Sequence, residues 1–235
     1  MKNRIWELDA FRGLCLVLMV AFHFWDDLVH LFGLIPLRAE WLFRLMNDWG
    51  GMPFLVLSGV CVTLGKHPVK RGLTVFAGGI AITLVTLGMY LLHFADSGII
   101  IYFGVLHCLG TCMLLWPLFQ KLPLWTLTVL GIVLTGVGIY LKFSDIAVSF
   151  PWLMPLGIPY YGFSSSDYVP LLPNLGYFLL GAVLGKTLYR EKKSLLPDLP
   201  RLGVFSWIGR NSLLIYLLHQ PILAGLVLLY TEVIL

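Results

Sequence analysis

The sequence predicts an all-α, polytopic membrane protein: one domain, residues 1–235, with about seven transmembrane helices around a polar cavity at mid-membrane. Three observations predict it. Hydrophobic residues make up 59% of the chain and charged residues only 12%, about half the charged share of a soluble globular domain. Apolar runs long enough to cross a bilayer recur along the chain, separated by short basic or Pro- and Gly-rich stretches. Several of those runs carry ionisable residues, which hydrocarbon tolerates only where they face a bundle interior or a wet cavity.

The elements follow in order. The first span is expected over residues 11–33; MKNRIWELD precedes it without a convincing cleavage site, so it reads as a retained helix rather than a signal peptide. Pro36 ends it, and residues 37–49 mix charge with aromatics as a short interfacial helix does. The second span, 51–65, opens on Gly51-Met52-Pro53, and its Ser58-Gly59 pair allows close helix approach. A basic run from Lys66 to Arg71 closes it. The third span covers 72–93 and ends at the turn Ala95-Asp96-Ser97-Gly98. The fourth, 99–119, holds His107 near its middle, and the fifth, 124–141, follows a short loop. Residues 142–173 form a long irregular stretch in which Pro151, Pro155 and Pro159 argue against an eighth helix. The sixth span is 174–189, a basic loop fills 190–201, and the last helix, 207–233, carries Asn211 and His219. Cys15, Cys61, Cys108 and Cys112 all fall in apolar runs and read as small buried hydrophobes.

Positive charge sets the expected orientation. With seven spans and a cytoplasmic N-terminus, thirteen of the sixteen Lys and Arg residues fall on the inner side, leaving Arg38, Arg44 and Lys142 outside. The C-terminus and the 142–173 loop are then outside, in the cell (plasma or inner) membrane. The net charge of +4 is mainly this topology signal. The basic residues are not interleaved with aromatics, so no nucleic-acid partner is expected; the bilayer is, and a homo-oligomer stays open.

The ionisable residues concentrate in DAFRGLCLVLMVAFHFWDDLVH, from Asp9 to His30. At about 100° per residue, His23 lies about 20° from the Arg12 face, and His30 returns to it about five turns on. Asp9 and Arg12 are i,i+3 neighbours; His23 and Asp27 are i,i+4 neighbours. His23, His107 and His219 each sit near the middle of a span. With Asp27 and Arg12 they outline a polar cavity between the first, fourth and seventh helices. Imidazole suits proton transfer there because it titrates near neutrality. His23 is the expected base and Asp27 its orienting carboxylate, with Asp9 and His30 as structural or orienting groups. Arg12 suits a phosphate because its guanidinium is a planar two-pronged donor. His107, Asn211 and His219 could bind a thioester, although Asn211 reads equally well as a helix-start residue. Asp167 and Tyr168 could recognise sugar hydroxyls or an amine, although Asp167 before Pro170 also reads as a turn residue.

The spacing Arg12-x10-His23 resembles the signature of transmembrane acyltransferases, including acyltransferase family 3. ELDAFRGLCLVLMVAFHF, YFGVLHCLG around His107, SSDYVPLLPNLG at Asp167 and the terminal WIGRNSLLIYLLHQP resemble the bacterial heparan-α-glucosaminide N-acetyltransferase-like family over nearly the whole chain. The resemblance implies transfer of an acetyl or other acyl group to a sugar-like hydroxyl or amine at the outer face. The donor it implies is acetyl-CoA or another cytoplasmic acyl-CoA, as co-substrate and without a metal. Three other classes compete, of which a non-catalytic helical membrane scaffold is the plainest. A proton-coupled transporter would also place His and Asp at mid-membrane. A haem protein would use facing histidines such as His107 and His219 as axial ligands.

The charge asymmetry generates a direct test. Cysteines introduced at Ser165 and at Lys192 should differ in intact cells, the first labelled by an impermeant thiol reagent and the second not. Labelling of the Lys192 position alone would reverse the orientation.

Overall fold

The computed structural model describes residues 4–144 and 146–234, and the described residues are helical apart from loops and two isolated β-bridges. The expected all-α, polytopic architecture is present. Six helices are long and apolar enough to cross a bilayer: Trp6–Leu31, Glu40–Leu64, Pro68–Leu91, Leu124–Lys142, Leu171–Leu188 and Ser212–Glu232. A seventh apolar helix, Val105–Phe119, has 15 residues and spans only about 22 Å. The protein is therefore an integral membrane protein. The chain divides into two compact units, Met1–Pro53 with Ser194–Leu235, and Phe54–Lys193.

In the first unit, α1 (Trp6–Asp26) runs directly into a π-helical turn, Asp27–Leu31. Then come α2 (Glu40–Trp49), α8 (Gly203–Arg210) and α9 (Ser212–Ile234). Phe43 of α2 packs on the α1 rings of Phe22 and Trp25, at centroid distances of 5.1 and 5.4 Å. α1 and α8 touch backbone to backbone. A Cβ on Gly13 would meet the Phe205 carbonyl, and one on Gly209 would meet the Asp9 carbonyl. Only glycine permits that approach. Glu7 at the start of α1 also accepts hydrogen bonds from Ser194 Oγ at 2.8 Å and the Leu195 amide at 2.7 Å, tying down the basic loop before α8.

The last helix expected over 207–233 is in fact two, because Asn211 leaves the helical region (φ −100°, ψ 21°) and turns its amide back onto the Trp207 carbonyl at 2.9 Å. A side chain that caps its own preceding turn competes with helix continuation.

The second unit contains α3 (Met52–Leu64) from Phe54 onward, α4 (Pro68–Leu91), α5 (Val105–Phe119), α6 (Leu124–Lys142) and α7 (Leu171–Leu188). Its seams are lined by small residues, as expected where lipid supplies no hydrophobic drive between helices. Gly59 of α3 fits against the Phe178 carbonyl of α7, and Gly181 of α7 fits against the Val56 carbonyl of α3. α7 is the most enclosed helix, with Phe178, Leu179 and Ala182 at 0% exposure. By contrast α4, α6 and α9 present Leu84, Ile132, Val133 and Leu229 outward, as lipid-facing helices do.

α5 begins at Val105 rather than at 99. Gly104 is extended (φ −90°, ψ −172°), and the Ile101 amide is taken by Thr86 Oγ1 at 3.1 Å. Cys15, Cys108 and Cys112 are buried thiols, as their apolar runs lead one to expect.

Gly181→Leu should cost about 1–3 kcal/mol or prevent folding, because its side chain would have to displace backbone. Gly136→Leu, with no atom within 4 Å of its added Cβ, should be tolerated. Thermal unfolding of both variants in detergent checks the contrast.

Candidate active site

Within the first unit, α1 and α9 are joined by two side-chain pairs. His23 and His219 face one another, ring centroids 5.0 Å apart and planes inclined at 49°. One turn further along α1, Gln220 Nε2 donates to Asp27 Oδ1 at 2.7 Å. Asp27 is the first residue of the π-helical turn and is only 3% exposed. The sequence reading expects Asp27 to orient His23. The carboxylate's hydrogen bond goes instead to Gln220, and His23's ring contacts are with Phe22 and His219.

The tautomer of His219 follows from its partner. Nδ1 lies 2.6 Å from the Tyr216 carbonyl oxygen. A carbonyl only accepts, so Nδ1 carries the hydrogen, and in the neutral ring Nε2 bears the lone pair.

The π turn also redistributes the carboxylates. His30 Nδ1 bonds Asp26 Oδ1 at 2.8 Å, and its ring lies against Phe43, centroids 5.0 Å apart and planes tilted by 54°. This pair is half-exposed, unlike Asp27. A strict α-helical period places Arg12, His23 and His30 on one stripe. The extra residue in the π turn breaks that period after Asp26.

At the other end of α1, Arg12 Nη1 donates to Asp9 Oδ1 at 3.0 Å and to the Gly209 carbonyl at 3.4 Å. Arg4 Nη1 lies 3.8 Å from Asp9 Oδ2. Arg12 thus sits over the carbonyl end of α8, where a cation complements the helix dipole. Asn211 follows directly, joining α8 to α9: its own carbonyl accepts the Ile215 amide at 3.0 Å.

His107, Asp167 and Tyr168 belong to the second unit, where they organise the start of α5. The Gly104 amide donates to His107 Nδ1 at 3.2 Å. A backbone N–H only donates, so the proton of His107 is on Nε2, which donates to Thr83 Oγ1 at 3.4 Å. Thr83 passes its own hydrogen to the Ile101 carbonyl at 2.6 Å. The ring is 3% exposed, stacked on Phe103 and edge-on to Phe76. With both nitrogens engaged, His107 serves as a helix-start cap, and the reading of His107 as a haem ligand loses its footing.

Asp167 Oδ2 accepts the Val105 amide at 3.1 Å, placing a carboxylate at the positive end of α5. Tyr168 donates to the Met154 carbonyl at 2.6 Å, and burial pushes its phenol up to about 12, so it remains a neutral donor at physiological pH. Among the described residues no group of three or more His, Cys, Asp and Glu could hold a metal ion.

Sequence reasoning missed Gln220. It lies in an apolar helix and is not ionisable, and its place directly after His219 was the one available signal.

The family model described as heparan-alpha-glucosaminide N-acetyltransferase, catalytic, matches residues 4–221. No curated protein and no solved structure matched the chain. The matched stretch takes in both side-chain pairs between α1 and α9, the Arg12–Asp9 contact and the capped start of α5. The chain belongs to the heparan-alpha-glucosaminide N-acetyltransferase catalytic family, whose function is that of a membrane acetyltransferase.

Proposed function

We propose that the protein transfers an acetyl group from cytoplasmic acetyl-CoA to a hydroxyl or amine of a sugar-like acceptor at the outer face of the membrane, with His23 as the general base. The observation that carries this reading is the imidazole pair His23–His219, set beside a buried carboxyl within a chain matched to a catalytic domain.

The chemistry needs a proton acceptor near neutrality and a place to put the proton. The acceptor's O–H or N–H gives its proton to His23 as its oxygen or nitrogen attacks the thioester carbonyl. The tetrahedral intermediate collapses, the carbon–sulfur bond breaks, and the CoA thiolate takes the proton back from the imidazolium. The neighbouring His219 ring, anchored through Nδ1 to Tyr216, offers a second basic nitrogen through which that proton can be shared. Asp27 stabilises the positive charge that appears while the proton is held. The basic surface of the first unit, Arg12 with the loop carrying Arg201, would steer the anionic nucleotide. The inner donor and outer acceptor follow the charge asymmetry of the loops. Asp167 and Tyr168 enter this reading as the groups that hold the start of α5 rather than as acceptor ligands.

His23→Asn should lower the initial rate of acetyl transfer by about 10²–10⁴-fold, with thermal stability and acetyl-CoA binding kept. A folded His23→Asn protein that works at the wild-type rate removes His23 from the mechanism. His107→Leu should behave in the opposite way. Losing the acceptor for the Gly104 amide should cost about 1–3 kcal/mol of stability, while the rate per folded molecule stays close to wild type. Labelled acetyl-CoA with a panel of sugar acceptors, read together with unfolding curves in detergent, measures both.

A further inference from the structure

Asp27 is an expensive residue. Its carboxyl is enclosed in a helix pair of a membrane protein, where an isolated charge or an unmade hydrogen bond is costly. Among the described residues it receives one hydrogen bond, from Gln220 Nε2 to Oδ1. Oδ2 is buried without a partner among the described residues, and so is Gln220 Oε1. Asparagine at this position would accept the same bond at lower cost, so helix pairing alone does not account for the carboxyl.

The geometry points to Gln220 as a positioning residue for acyl transfer: by anchoring Oδ1, it fixes the buried Oδ2 of Asp27 as the oxygen left to receive the N–H or O–H donor of the incoming acceptor. The inference rests on the acyl-transfer reading above and deepens it. His219 and Gln220 are consecutive on α9, while their partners, His23 near the end of α1 and Asp27 at the start of the π-helical turn, are four residues apart. The amide therefore sets the carboxyl's rotation in register with the imidazole pair. Gln220 Oε1 is a second buried accepting oxygen without a partner among the described residues, so the pair suits a group that carries hydrogen-bond donors. The rival explanation is that Gln220 only fastens α9 to α1. That explanation predicts a loss of stability without any selective effect on the acceptor.

The test uses the full chain in detergent, with acetyl-CoA as donor and glucosamine as the acceptor probe. Gln220→Met should raise the acceptor KM about 10-fold, as expected for one charge-assisted hydrogen bond. The KM for acetyl-CoA should stay at its wild-type value. Gln220→Asn keeps the amide but withdraws it by one methylene, and it should show the same selectivity if the Met variant folds poorly. In an Asp27→Asn background the Gln220 substitution should have no further effect on acceptor KM, because Gln220 acts through that carboxyl.

An activity-free readout accompanies the kinetics. The infrared carboxyl band lost in Asp27→Asn should shift in Gln220→Met. An unshifted band, a wild-type acceptor KM, or a loss carried undiminished into the Asp27→Asn background would each overturn the role of Gln220. A band shifted in Gln220→Met, together with a wild-type protein that transfers no acetyl group to any acceptor, would instead overturn the acyl-transfer reading, and the role of Gln220 with it.

Discussion

Hydrocarbon offers no hydrogen bonds, so each polar group carried into the membrane must find its partner inside the protein. This constraint governs the chain from its backbone outward. It makes the described residues helical, since a helix satisfies its own amides. It removes the usual drive to bury apolar side chains, so packing falls to small residues that let backbones touch. The glycines of α7 against α3, and of α8 against α1, are the direct result. Large apolar side chains turn outward at little cost, which inverts the pattern of a soluble core.

The same constraint sorts the polar residues into two groups. His107, Asp167, Thr83 and Thr86 close a local network in which backbone amides and carbonyls at the start of α5 meet side-chain partners. That network explains why a helix starts at Val105 without the ordinary serine or aspartate cap of its own. Arg12 and Asp9 do similar work at the junction of α1 and α8. Asp27 and Gln220 differ, each keeping a buried oxygen without a partner among the described residues. Such incompletely satisfied groups cost stability and call for an explanation, which for Asp27 and Gln220 the proposed acceptor supplies.

The π turn connects these observations to chemistry. A helix that widens by one residue at Asp27 changes which carboxylate faces inward. Asp26 goes to the half-exposed His30, and Asp27 goes to the helix pair with α9. Without that turn, the two adjacent aspartates would follow the α-helical period of the preceding residues.

Much of the architecture was legible in the sequence because membrane helices announce themselves locally. Apolar run length, proline and glycine breaks, and basic loops all act over a few residues, so the spans came through with ends displaced by a few positions. The concentration of ionisable residues in α1 was legible for the same reason, as was the Arg12-x10-His23 spacing. What only the tertiary structure decided was partnership. His23 lies against His219, Asp27 reaches Gln220, and His107 turns both nitrogens to its own unit's backbone and threonine. The split at Asn211 and the π turn at Asp27 also lay beyond periodicity, because each is a competition between backbone and side-chain hydrogen bonds. Sequence spacing shows which face of a helix a residue occupies. Which group on another helix meets it depends on contacts made across nearly two hundred residues of chain, as between Asp27 and Gln220.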